Sequence, residues 1–174
     1  MRTLVTLALV VTASTVAARA ADGPPLAPLD FLLGAWEATG DGAPGSGAGS
    51  TSFERRLGNK IIVRTNHADY PATKDRPASS HDDLMVIYAT PDGQIRASYY
   101  DSEGHVIDYT AETSDGSAVF TSGNVPGAGR FRLTYKQTYA GIVSGQFEIA
   151  PAADPQAFKS YLNWTMKHPP APSK

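Results

Sequence analysis

The sequence predicts an all-β protein: an up-and-down antiparallel barrel of about eight to ten strands, with a short helical turn at its N-terminal side. Three observations lead there. From Phe31 onward, runs rich in Val, Ile, Tyr, Phe and Thr alternate with Gly, Pro, Asp and Ser clusters, at intervals too short for intervening helices. The links, such as Leu57-Gly58-Asn59, Pro91-Asp92-Gly93, Ser102-Glu103-Gly104 and Ala140-Gly141, are a few residues long. Links that short force antiparallel neighbours, because a parallel crossover needs about a dozen residues. Finally, so many sequential strands in a chain of 174 residues leave exposed edges unless the sheet closes on itself. A cylinder of this size also encloses room for one small ligand.

Taken in order, residues 1–20 read as a secretory signal peptide. Arg2 supplies the positive start, Leu4 to Ala13 is apolar apart from threonine, and Ala18-Arg19-Ala20 offers the small residues a signal peptidase reads. The apolar run is too short to span about 30 Å of hydrocarbon, so no stable membrane insertion is expected. Residues 21–168 form the single domain, and 169–174 are a Pro/Ala-rich tail expected to fray. Pro28 to Leu33 reads as one helical turn leading into Gly34-Ala35-Trp36. Strands are expected at 33–40, 50–57, 60–68, 82–90, 94–101, 104–113, 117–122, 129–139, 141–150 and 157–167. Two longer links, 41–50 and 71–80, are expected to be loops that frame the barrel mouth. The glycines at 45, 47 and 49 lack both the spacing of a phosphate loop and its closing Lys-Ser/Thr. Asn163-Trp164-Thr165 fits a glycosylation sequon but falls inside an expected strand.

Composition removes several function classes. The formal charge of −2 offers no polycationic field for nucleic acid, so none is expected as a partner. Zero cysteines exclude disulfide scaffolds, thiol nucleophiles and thiolate metal sites, while 16 Gly and 13 Pro argue against a helical bundle. Without residues 1–20 the chain carries 13 basic and 17 acidic side chains. An exported, acidic, cysteine-free protein points to the periplasm or secretion.

Alternation along each strand sorts side chains between lumen and solvent, and the more apolar parity is expected inside. This places Ile61, Val63, Thr65 and His67 inward, followed by Ile95, Ala97, Tyr99 and Asp101, then His105, Ile107, Tyr109 and Ala111. Phe131, Leu133, Tyr135 and Gln137 follow, with Phe158, Ser160, Leu162, Trp164 and Met166 on the last strand. Over 82–90 both parities are equally apolar and give no choice. The expected lumen is apolar and aromatic with a few polar tips, the composition of a small-molecule pocket. Three of the four histidines, His67, His105 and His168, share the inner parity, but none has a carboxylate at ligand-like spacing. His81-Asp82-Asp83 reads as solvated charge at a loop edge. No metal and no cofactor is expected.

The segment Leu29-Asp30-Phe31-Leu32-Leu33-Gly34-Ala35-Trp36, followed by a meander of strands, resembles the lipocalin-like (calycin-type) barrels. Together with Tyr99 to Tyr109 (YYDSEGHVIDY) it is similar to exported bacterial domain-of-unknown-function families within that group. The resemblance implies that the helical turn closes one end of the barrel, and that Trp36 packs there beneath a basic side chain, Lys167 or Lys159. It extends loosely to nitrobindin-type haem barrels, which hold iron through a histidine near the C-terminus; His168 is the residue here that could match.

The expected function is binding of a small hydrophobic ligand without altering it, with Trp36, His67, Tyr99, His105, Tyr109, Tyr135 and Trp164 as ligand-binding residues. Three alternatives stand beside it. One is a cofactor-independent lyase or isomerase, permitted by the resemblance, pairing His67 or His105 with Tyr99, Tyr109 or Asp101 as acid and base. The second, implied by the resemblance, is a haem barrel. The third is a barrel that meets a partner with its outer face. No Gly-x-Ser-x-Gly elbow, His-Glu-x-x-His helix or nucleotide fingerprint is present, so no catalytic residue is assigned.

Overall fold

The structure, a computed structural model, describes residues 24–40 and 47–170. The signal-peptide reading of residues 1–20 lies outside the described residues, as does most of the tail. A short 3₁₀ turn, η1 (Ala27–Leu32), leads into ten antiparallel strands. They are β1 (Gly34–Gly40), β2 (Ala48–Arg56), β3 (Ile61–Tyr70), β4 (Ser79–Ala89) and β5 (Ile95–Asp101), then β6 (Val106–Ser114), β7 (Ser117–Ser122), β8 (Arg130–Tyr139), β9 (Ile142–Ala150) and β10 (Lys159–Lys167). Each expected strand is present within three residues of its expected ends. The sheet closes, with β1 bonded to both β2 and β10.

Successive strands alternate in direction, so the two ends of the barrel collect different residues. At one end lie the starts of the odd strands and the ends of the even ones, together with η1. Leu26, Leu29 and Leu32 of this plug are 3% exposed or less, and above them Phe53, Ile62, Met85, Ile87, Phe120, Val143 and Met166 fill the lumen. Trp36 sits in the same plug, its Nε1–H donating to the Leu32 carbonyl at 2.7 Å. The basic group over Trp36 is neither Lys167 nor Lys159. It is His168, stacked on the indole with ring centroids 3.8 Å apart and Nδ1 3.0 Å from the Ala35 carbonyl oxygen. Arg55 pairs with Asp30 and ties the turn to β2.

Two expectations about facing are corrected. In β3 the buried parity is Ile62 and Arg64, so Ile61, Val63, Thr65 and His67 face outward. The two parities there differ little in apolar content, and an arginine is the residue a hydrophobicity rule places outside; its partner on β4 decides the matter. In β10 a register shift between Ser160 and Leu162 resets the alternation. Leu162, Trp164 and Met166 remain inward. Ser160 bonds the outer-face Asn163 and Gln146, and Phe158 lies under Arg132 and Arg130. For β4, where sequence gave no choice, His81, Asp83, Met85 and Ile87 face the lumen.

Candidate functional site: a polar cluster at the open end of the barrel

Opposite the plug, the register of β3, β4 and β5 stacks inward residues in tiers. Arg64, Met85 and Tyr99 form one row, Asn66, Asp83 and Asp101 the next, and Ala68 and His81 a third. Diagonal neighbours on one face of a sheet stand about 7–8 Å apart, within reach of long side chains. Arg64 Nη2 accordingly donates to Asp83 Oδ2 at 3.2 Å, with both side chains under a tenth exposed. Asn66 Nδ2 donates to the same oxygen at 2.9 Å. The guanidinium then crosses the lumen to lie 6.0 Å from the Tyr135 ring centroid on β8. Two atoms of this pair, Arg64 Nε and Asp83 Oδ1, have no hydrogen-bond partner although both are buried.

Three phenols surround the pair. Burial, the largest cause, raises the pKa of Tyr99, Tyr109 and Tyr135, with Tyr135 pushed up to about 12. All three therefore stay neutral donors in the physiological range. Burial of Arg64 works against its charge, and the surrounding oxygens outweigh that, so its pKa rises. Because the phenols keep their protons, Asp83 is the ion that balances Arg64. Desolvating such a pair costs several kcal/mol per ion, which only close geometry and further hydrogen bonds repay.

The next tier forms the rim. Tyr99 Oη donates to Asp101 Oδ2 at 3.3 Å and stands 3.1 Å from His81 Nε2. His81 Nε2 is also 3.4 Å from Asp83 Oδ2, while Nδ1 is 2.8 Å from Glu103 Oε2. Asp101 Oδ1 accepts the backbone N–H groups of Glu103 and His105, and Oδ2 lies 2.8 Å from His105 Nδ1. Partial burial pushes the Asp101 carboxyl up, but these bonds from His105 and Tyr99 outweigh it and hold the group below the usual carboxylate range. Tyr70 leans toward the same end. Burial raises its pKa, with Tyr161, Asp83 and Glu103 adding to the effect, and Arg76 lies 5.7 Å from its ring centroid.

Inward residues of this half keep contact with solvent. Tyr99, Phe131, Phe147 and Trp164 pack on the core yet are only partly buried. Trp164 meets the Tyr135 ring edge-on with centroids 6.1 Å apart. Two surface hollows, of about 480 Å³ beside the β3–β4 hairpin and about 390 Å³ on the outside of β8, β9 and β10, hold no member of the Arg64–Asp83–His81 cluster.

The structure brings Tyr99, Tyr109, Tyr135 and Trp164 together around Arg64. It does not bring the other expected site residues there. Trp36 belongs to the plug. His67 points outward, between Asp82 and Asp69. His105 sits on the β5–β6 turn with its side chain 66% exposed. His168 stacks on Trp36 at the plugged end, so the arrangement does not fit a haem held in the open half through that residue. Sequence reasoning missed Arg64, Asp83 and His81. The available signal was an arginine and an aspartate that fall on one face once β3 and β4 are paired, but that pairing is visible only with the register known.

No family model matches the chain, and no curated protein matches it. Among solved structures, the crystal structure of Rv2717c from M. tuberculosis is similar. It has a TM-score of 0.55 and 14% identity, and the alignment covers 85% of this chain and 99% of that one. Identity at that level speaks to the fold alone. Among the described residues no helix is long and apolar enough to cross a membrane.

Proposed function

We propose that this chain is an exported, calycin-type barrel that binds a small molecule in the half of the lumen opposite η1. The molecule is apolar along most of its length and carries one group that both donates and accepts a hydrogen bond, such as an alcohol or a primary amide. One observation carries the reading: a buried ion pair with an unpartnered donor, Arg64 Nε, and an unpartnered acceptor, Asp83 Oδ1, lies beneath a partly exposed aromatic wall. A buried polar atom left unpaired costs about 1–3 kcal/mol, so a ligand group that pairs both atoms gains that difference on binding. The wall supplies the apolar contact that most small-molecule sites use. Tyr109 and Tyr135, kept neutral by burial, add donors without adding charge.

The test is a fluorescence titration of the purified chain with decanol, decanamide, decanoate and decane, since Trp164 stands at the wall and reports occupancy. Decanol and decanamide are expected to shift the emission. The double variant Arg64→Met/Asp83→Leu, which keeps the lumen apolar, is expected to weaken both by about tenfold or more, the equivalent of about 1.4 kcal/mol. A flat response to all four probes overturns the reading. Equal binding of decanol by the double variant overturns the role of the ion pair.

A further inference from the structure

The His81 ring at the rim has oxygen atoms within reach of both its nitrogens. Nε2 is 3.1 Å from Tyr99 Oη and 3.4 Å from Asp83 Oδ2, and Nδ1 is 2.8 Å from Glu103 Oε2. Tyr99 Oη also reaches Asp101 Oδ2 at 3.3 Å, so the imidazole, the phenol and the carboxylates share one cluster at the open end. An imidazole nitrogen facing carboxylate oxygens offers the two donor types that a transition ion takes together.

We propose that His81, Asp101 and Glu103 form a binding site for a divalent first-row transition ion at the open rim of the barrel. One ligand atom from each lies within 4.8 Å of the other two. Ligands at about 2.1 Å from an ion stand roughly 3.4 Å apart in tetrahedral geometry, so modest closure of three side chains completes the set. A mixed imidazole and carboxylate donor set suits zinc, manganese or iron(II) better than calcium, which takes oxygen ligands only. The outer contacts follow the pattern of such centres, in which a ligating histidine gives its other N–H to an oxygen acceptor that fixes the ring. Here Tyr99 and Asp83 supply that acceptor. Asp101 already accepts four hydrogen bonds; the ion takes the place of the His105 ring, which is mostly exposed and free to swing outward. Buried, unpartnered Asp83 Oδ1 lies on the carboxylate that backs His81, a mark of incomplete satisfaction at this point. Three protein ligands leave open positions facing the mouth.

This site shares Asp83 with the lumen reading, through the carboxylate that backs His81, but its ligands are rim residues alone, and metal titration reads it with no lumen ligand present. The test uses untagged chain stripped with a chelator, titrated with Zn²⁺ by calorimetry and with Co²⁺ by visible absorption. One equivalent is expected to bind, with a Co²⁺ spectrum showing nitrogen ligation. Glu103→Gln, on an exposed turn, and His81→Gln are expected to weaken binding at least about tenfold, with the far-ultraviolet circular dichroism unchanged. His67→Gln, which removes the outer histidine between Asp69 and Asp82, is expected to bind as the parent does. Absence of saturable binding overturns the proposal. Binding that survives both His81→Gln and Glu103→Gln, or that His67→Gln abolishes, overturns it as well.

Discussion

A missing Cβ lets Trp164 lie flat against the barrel wall: a Cβ on Gly145, its cross-strand partner, would stand 2.0 Å from the indole. Alanine normally improves on glycine in a strand interior by removing backbone freedom from the unfolded chain. Here the sign is reversed. Gly145→Ala is expected to destabilise by about 1–3 kcal/mol through overpacking, and to change Trp164 emission, both measurable by urea denaturation followed through fluorescence. His67 offers a second test at this scale. Its side-chain hydrogen bonds to Asp82 and Asp69 hold the imidazole pKa above the ordinary value. A raised folded-state pKa means that the stability gained is complete below the unfolded value of about 6.5, and is lost as pH climbs through the higher folded one. In an NMR titration the His67 midpoint is expected above that of a free histidine, and Asp82→Asn is expected to lower it. The sequence showed these histidines but not their surroundings. His67 and His81 differ in facing because β3 and β4 pair His67 with Asp82 and His81 with Ala68, a register no local pattern reveals.

Among the elements, the plug and the closing seam are coupled. β1 meets β10 through a register of four pairs, Glu37 with Lys167 to Gly40 with Trp164, while β3 and β4 share ten. His168, one residue past β10, adds to that short seam by stacking on Trp36 of β1, whose Nε1–H in turn holds the last carbonyl of η1. His168→Ala is expected to cost about 0.5–1.5 kcal/mol, the worth of an aromatic pair, and to expose the Trp36 indole to acrylamide quenching. Strand limits were legible because turn residues and alternation mark them sharply, as at Pro91-Asp92-Gly93 between β4 and β5. Facing was legible in β5, β6 and β8, where Ile95, Ala97, Tyr109, Leu133 and Tyr135 separate cleanly from charged neighbours. It failed in β3, where the lumen needs an arginine, and at the start of β10, where a bulge inserts one residue without a sequence mark.

For the whole molecule, closure makes the lumen a closed account in which each buried charge must be met by another strand. Arg64 comes from β3, Asp83 from β4, and the phenols from β5, β6 and β8, so five strands converge on one cation. That convergence is why composition and periodicity could announce an aromatic lumen without revealing its centre. It also sets a sharp thermodynamic expectation. Arg64→Met removes the cation and leaves Asp83, which is 8% exposed, with Asn66 as donor and the His81 ring 3.4 Å away but without its close counter-ion, so the cost is that of a desolvated carboxylate. A loss of about 3–5 kcal/mol is expected, the usual result of breaking one side of a buried pair. Arg64→Met/Asp83→Leu removes the second charge and replaces both with apolar groups of similar volume, so most of that loss is expected to return. Urea midpoints for the parent, the single and the double variant measure both steps. If the single variant is as stable as the parent, Asp83 was never dependent on Arg64. If the double variant stays as unstable as the single one, then packing against Tyr135, not charge balance, is what Arg64 contributes to the barrel.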